Sequence, residues 1–250
     1  MIELCWERVP AFVVAFFVVR FAVGIMLERR FAAYSVSFWK VFGGDLATTA
    51  FLLAVTIPAA EWCTNHLPNP GWIVHATVEP WPILLRVALY ILVADFGHYW
   101  MHRILHHPLL WRFHKWHHAS THMTWLSGNR ESFVDRILVS LPYIWAYPII
   151  HGNTPWWVPV ALLCFHAFKN DWMHLNVTFR LRGIERAFVT PHFHHIHHSD
   201  SPEHFNKNLG ALLSVWDRMF GTYASPDQVR SPLTFGIGEK LPLVRLYTGI

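Results

Sequence analysis

The chain has 250 residues, of which 53% are hydrophobic and only 14% are charged. Soluble domains carry roughly 25% charged residues, so this composition indicates an integral membrane protein. Lys and Arg exceed Asp and Glu by only 20 to 16, without a continuous basic run, which argues against a nucleic-acid partner. The 3 cysteines have no CxxC spacing and are too few for an iron–sulfur cluster.

Five apolar stretches follow one another along the chain. They cover residues 10–27, 41–60, 81–97, 134–150 and 155–169. Each is near the roughly 20 residues that a helix needs to cross a bilayer, although most are at the short end. The turn 151–155 ends in a helix-start proline and joins the last two stretches into a hairpin that either spans or re-enters the membrane. We therefore predict an all-α integral membrane fold of four to five transmembrane helices, with residues 1–250 forming one domain.

Arg20, Asp45 and Arg86 interrupt or flank these stretches. Such residues usually snorkel to the interface or face the interior of the helix bundle, and we expect one of these two solutions here.

The positions of Lys and Arg predict the orientation in the membrane. Segments 28–40 and 98–136 and the chain after residue 168 carry these residues, whereas the loop 61–79 and the turn 151–154 have none. The positive-inside rule then places the N-terminus outside and the histidine-rich regions in the cytoplasm. The prediction is a multi-pass protein of the inner or plasma membrane, if the source is bacterial, with a cytoplasmic helical cap.

Histidine is the most informative residue type, since the chain has 19 of them. Three groups have helical spacing: His98-xxx-His102, His114-xx-His117-His118 and His194-xx-His197-His198. At this frequency one HxxHH is expected about 0.1 times by chance, so two of them are a strong signal. Spacings of three and four residues put side chains on one helix face. Eight imidazoles are too many for one tetrahedral zinc and suit two metal ions side by side.

A metal pair beside a bilayer suggests lipid as the substrate. Oxidation of an unactivated C–H bond requires an oxidant made from O₂, and zinc has no redox chemistry, so we expect two Fe ions. The protein would orient the irons and exclude water.

Residues 85–225 resemble the sterol desaturase/fatty acid hydroxylase superfamily of membrane di-iron enzymes. The resemblance is carried by DFGHYWMHR at 95–103, LWRFHKWHH at 110–118, TPHFHHIHHS at 190–199, NLG at 208–210 and WDRMFGTY at 216–223. It implies a helical transmembrane bundle with a cytosolic di-metal site. It also implies O₂-dependent hydroxylation or desaturation of a lipid such as a sterol or fatty acyl chain, with electrons from a separate carrier.

When the ligand positions of the family are transferred to this sequence, the resemblance implies nine metal ligands: His98, His102, His114, His117, His118, His174, His194, His197 and His198. His174, in the sequence His-Leu-Asn, is similar to the isolated ligand that lies between the second and third boxes. Some members have a further histidine four residues later, where this chain has Thr178. Water or an asparagine such as Asn170 would take that place.

Other polar residues near the boxes have more than one interpretation. Asp95, three residues before His98, either accepts a proton from a ligand imidazole or is a buried group satisfied by another helix. We expect His106 and His107 to be bystanders, His195 to point away from the metals, and residues 216–221 to be structural.

The chain lacks a GxGxxG dinucleotide site, a CxxCH haem site and an iron–sulfur cysteine set, so an external donor of the cytochrome b5 or ferredoxin type is expected. One alternative is a histidine-rich metal transporter or metal-binding membrane protein, although transporters usually place polar ligands at mid-membrane. The other is a zinc hydrolase, which is disfavoured because no box contains an internal carboxylate.

Overall fold

The computed structural model of the protein describes residues 9–64, 66, 77–229 and 232–239. Most of the loop 61–79, on which part of the orientation prediction depends, lies outside these ranges. Within them the chain is mostly helical and has no β-strand, only isolated bridges from Phe188 to Leu213 and from Ser199 to Phe235. The predicted all-α fold is confirmed.

Nine helices position the site in the described ranges. They are α1 (Val9–Phe31), α2 (Phe38–Phe51), α3 (Ile57–Thr64), α4 (Ile83–Leu105), α5 (Pro108–His118), α6 (Phe133–Ala146), α7 (Trp157–His174), α8 (Pro191–His197) and α9 (Val215–Met219). A π-helical turn, Leu52–Thr56, joins α2 to α3 just before Pro58, which cannot donate a backbone hydrogen bond.

Three described helical segments are long and apolar enough to cross a membrane: Ala11–Phe31, Val41–Cys63 and Ile83–Leu105. They correspond to the first three predicted stretches. Much of the apolar surface of α1 is exposed, including Phe12, Val14 and Val18, as suits contact with lipid tails. The protein is therefore an integral membrane protein, and the larger count of four to five spans stays a prediction.

Arg20, Asp45 and Arg86, the three charged residues noted in the sequence, all face protein. Arg20 donates to Asp171 on α7, with 2.6 Å between Nη2 and Oδ1. Asp45 on α2 accepts from Arg130 at 2.7 Å. Arg86 donates from Nε to the carbonyl of Ile149 at 2.9 Å. Each of these charges thus has a polar partner inside the bundle. They face the interior of the helix bundle rather than snorkel to the interface.

The α6–α7 hairpin runs along α4. Near the C-terminal end of α4, Gly97 lets the helices approach closely, because an added Cβ would lie 2.9 Å from the Cβ of Pro142. Near its N-terminal end, Arg86 binds the carbonyls of Ile149 and His151, just after α6. The tip of the hairpin is therefore level with the beginning of α4, and α4 and α7 both end at the side of the molecule where the histidines collect.

Candidate metal centre

Nine histidine side chains converge at this end of the bundle in two adjoining clusters. The first imidazole group consists of His102, His106, His114, His118 and His197, and the second of His117, His174, His194 and His198. Within each group, one ring nitrogen from every residue lies within 4.8 Å of the others. His117 and His198, and likewise His118 and His197, place rings of neighbouring boxes in contact, with centroids 4.7 and 4.6 Å apart.

The helix geometry explains why each HxxHH motif serves both groups. On α5, His114 and His118 are four residues apart and join the first group, whereas His117 points to the second. On and just after α8 the roles are exchanged, since His194 and His198 join the second group and His197 joins the first. Residues at i, i+3 and i+4 share one broad helix face, so each motif lies between the two groups and contributes to both.

Local sequence signals fix both short helices. His107 caps α5 by accepting a hydrogen bond from the backbone N–H of Leu109, and Pro108 occupies the first helical position. Thr190 caps α8 by accepting from Phe193, and Pro191 follows it. These caps set where each helix begins and hence where its histidines point.

His174 ends α7, and the chain leaves space for its ring. A Cβ added at Gly128 would lie only 2.4 Å from His174 Nδ1, so this position has no room for a larger residue. His174 Nδ1 lies 2.8 Å from the carbonyl oxygen of Asn170, one turn earlier on α7.

Hydrogen bonds to the distal ring nitrogens determine the tautomers. The Nδ1 atoms contact backbone carbonyls for His102 (Leu209, 2.7 Å), His117 (Arg130, 3.3 Å), His174 (Asn170, 2.8 Å) and His197 (Lys207, 2.9 Å). A carbonyl oxygen only accepts, so each Nδ1 carries the proton and each Nε2 carries a lone pair.

These lone pairs point at one another. The Nε2 atoms of His174, His194 and His198 lie 3.0–3.2 Å apart, and His102 Nε2 lies 3.1 Å from His114 Nε2. The buried Nε2 atoms of His106, His118 and His197 have no hydrogen-bond partner within the described structure. Converging imidazole nitrogens, each able to offer a lone pair, are the donor set of a transition metal, so these residues fit a pair of metal ions.

The protonation states agree with this fit. Burial lowers the pKa of His114 to about 3 and that of His174 to about 4. Burial likewise places the pKa values of His117, His118 and His194 well below the usual range. The neutral imidazole is the form that binds metals.

The structure differs from the sequence prediction at the first histidine box. His98, predicted as a ligand, belongs to neither group; its Nδ1 lies 3.2 Å from the Tyr143 hydroxyl. His106, predicted as a bystander, is in the first group, one turn beyond His102. The sequence His98-xxx-His102-xxx-His106 contains two overlapping HxxxH spacings. Spacing alone could not decide between the His98–His102 pair and the His102–His106 pair. The convergence with the histidines of α5 and α8 selects His102 and His106.

Of the two interpretations of Asp95, the contacts fit the buried polar group that is satisfied by another helix. Asp95 does not contact an imidazole of either group; it accepts from the backbone N–H groups of Leu212 and Leu213 and from Trp216 Nε1. The carboxylate beside a ligand is Asp135, whose Oδ1 lies 3.0 Å from His114 Nδ1. Sequence reasoning missed it, although Ser132-x-x-Asp135 before an apolar run is a capping-box signal.

Asn170 lies beside the second group. Its carbonyl accepts from His174, and its side-chain amide donates to Asn129 at 3.1 Å. This places it next to a ligand position, while its role as a substitute ligand stays a prediction.

Two other predictions concerned residues outside the groups. His195 packs against Tyr34, with ring centroids 5.5 Å apart, and belongs to neither group. Asp217 accepts from the backbone N–H groups of Leu209 and Gly210, and thereby fixes the loop whose Leu209 carbonyl binds His102. The structural interpretation of residues 216–221 fits these contacts.

Membrane-capable helices and two imidazole groups at their end define an integral membrane protein with a centre compatible with metal ions. The sequence model of the fatty acid hydroxylase family matches residues 87–222, which include every histidine of both groups. The chain belongs to this family, as the resemblance of its histidine boxes implies. No solved structure gave a significant match.

Curated relatives carry out oxidative lipid modification, according to their names. Ornithine lipid hydroxylase OlsE of Rhizobium tropici is 31% identical over 73% of this chain and 53% of its own length. Alkylglycerol monooxygenase of Danio rerio is 32% identical over 66% of this chain and 36% of its length. A probable Delta(7)-sterol 5(6)-desaturase of Neurospora crassa is 30% identical over 59% and 40%, respectively. The matched segment thus spans about half or less of each relative.

Proposed function

We propose that the protein is a membrane-embedded di-iron oxidoreductase that uses O₂ to hydroxylate or desaturate a lipid, such as a sterol or fatty acyl chain. The observation that carries this proposal is the convergence of two imidazole groups, with their Nε2 lone pairs inward, at the end of the membrane-capable helix α4. The names of the relatives support a lipid substrate and oxidative chemistry.

The proposed chemistry favours iron over zinc. Oxidising an unactivated C–H bond requires a redox-active metal, and a bound iron pair would supply the O₂-derived oxidant. The first and second imidazole groups would each hold one iron. Among the residues that the structure describes, neither group contains a carboxylate.

The chain itself positions the reaction. Burial keeps the imidazoles neutral and excludes water from them, and backbone carbonyls fix which ring nitrogen faces inward. Apolar side chains of α4 such as Leu84, Leu85 and Leu92 are exposed, and they offer a lipid-compatible surface on the helix that carries His102.

Electrons would come from a separate protein of the cytochrome b5 or ferredoxin type. The sequence contains no motif for a flavin, nicotinamide, haem or iron–sulfur carrier of its own. The distribution of Lys and Arg supports a cytoplasmic position for the metal centre, where such donors are available.

The position of both groups bears on the transporter alternative. The histidines lie at and beyond the end of α4, with His102 and His106 in or next to its last turn. A transport site is usually near the middle of the membrane, so this placement favours the oxidoreductase.

The test is a comparison of all membrane lipids, by mass spectrometry, from cells with and without the protein, under isotopically labelled O₂. We expect one lipid class either to gain a labelled oxygen atom or to lose two hydrogens, and the change to require intact His197. With expression and a co-expressed donor verified, an unchanged lipid profile would contradict the proposal. Loss of metal uptake in the His197→Ala strain would then favour the transporter.

A further inference from the structure

The two imidazole groups differ in the chemical type of the residues that contact their outer ring nitrogens. Asp135 lies in the first turn of α6, is 1% exposed, and places its Oδ1 3.0 Å from Nδ1 of His114 in the first group. We propose that Asp135 is a positioning residue that makes the first imidazole group the tighter of the two metal-binding groups. This inference rests on the proposed function, because it presumes that both groups bind metal.

The local fold holds Asp135 in this place. Ser132 caps α6 and accepts a hydrogen bond from the backbone N–H of Asp135 at 3.2 Å. Asp135 therefore stands in the first turn of α6 with its side chain fixed beside the imidazole of His114. The nearby charges of Glu131 and Arg136 pair with each other at 3.2 Å.

A carboxylate acts on a ligand imidazole in two ways. It accepts from Nδ1–H, which leaves the lone pair on Nε2, and it increases the electron density that Nε2 offers to a metal. The Nε2 of His114 indeed faces that of His102 at 3.1 Å. Asp135 thus both orients the ring and strengthens it as a ligand.

The second group has neutral partners at the corresponding places. His117 and His174 direct Nδ1 to the backbone carbonyls of Arg130 and Asn170. A carbonyl fixes the tautomer without adding negative charge, so it strengthens the ligand less than a carboxylate does. The first group also has five imidazoles against four.

Equilibrium binding of Co(II) to the full-length protein in lipid nanodiscs tests this difference. The wild-type protein should bind two ions with separate affinities, and visible absorption should report both sites. Asp135→Asn should weaken the tighter site about 10–100-fold, the usual effect of losing such a partner, and leave the weaker site unchanged. Asp135→Glu, which keeps the carboxyl group, should restore part of the loss.

Asp171→Asn is the matched control, because Asp171 is also a buried carboxylate but pairs with Arg20 rather than an imidazole. It should leave both affinities unchanged. Unchanged binding in Asp135→Asn, or equal weakening of both sites, would overturn the role of Asp135 while leaving the proposed function intact. A wild-type protein that binds fewer than two ions would overturn the proposed function itself, and this inference with it.

Discussion

The first imidazole group is held largely from the loop that follows α8, and the second from the interior of the bundle. His197 and His102 bind the carbonyls of Lys207 and Leu209, in a loop with exposed neighbours such as Phe205. In the second group, His174 contacts α7 itself and packs against Gly128. The groups share helices α5 and α8 but depend on different parts of the chain.

This difference means that the two groups can be perturbed separately. Substitution of a histidine removes a ligand, whereas substitution of a supporting residue only displaces one. The effects on metal content should therefore rank by how directly each change reaches an imidazole.

The largest effects should come from ligands in the two groups. His197→Ala removes a first-group ligand and His194→Ala a second-group ligand, and each should lower the iron content and abolish lipid oxidation. The affinity loss should exceed the upper end of about 100-fold that is usual for outer partners. Elemental analysis of iron per chain measures the loss of metal, and membrane fractionation checks that each variant is still inserted. Normal turnover in either variant would contradict the ligand assignment.

The next comparison separates two histidines on the same stretch of chain. His106→Ala should lower metal affinity in the first group, because His106 lies among its members. His98→Ala should keep both metals, because its ring contacts Tyr143 instead. The reverse result in metal titrations of the two variants would restore the assignment implied by the family resemblance.

Gly128→Ala should affect the second group alone. The added methyl group would lie 2.4 Å from Nδ1 and 2.6 Å from Cε1 of His174, so the ring must move. Gly43→Ala is the control, since its added methyl group would meet nothing within 4 Å. Metal titration should show loss of one binding event in the first variant and none in the second; two intact events in Gly128→Ala would show that His174 is not needed.

The smallest effect should follow removal of the α8 cap. Thr190→Ala loses the hydrogen bond from Phe193 and the one that its hydroxyl donates to Glu185 at 3.0 Å, and should reduce stability by about 1–2 kcal/mol. Because α8 supplies both groups, any change in metal affinity should be similar in the two. Thermal unfolding in detergent, followed with and without metal, measures both quantities; a loss confined to one group would show that α8 does not couple them.

Much of the site follows from sequence periodicity. The two HxxHH motifs each lie on one helical face, and every one of their six histidines joins one of the groups. Hydropathy likewise located the three membrane-capable helices, since a bilayer requires long apolar segments.

The remaining features depend on tertiary contacts that spacing does not encode. His98 and His106 are equally spaced from His102, and only the approach of α5 and α8 distinguishes them. Asp95 and Asp135 are both near a histidine box, Asp95 in sequence and Asp135 in space. The backbone N–H of Leu212, 117 residues away in the sequence, donates to Asp95, whereas Asp135 contacts His114.

The most direct test of the account is X-ray absorption at the metal edge, combined with metal stoichiometry, on the purified wild-type protein. We expect two iron ions per chain, each surrounded by imidazole nitrogen, with the nitrogen signal reduced in His197→Ala and His194→Ala. A single ion per chain, or a coordination shell dominated by sulfur or by protein carboxylates, would contradict the paired imidazole centre.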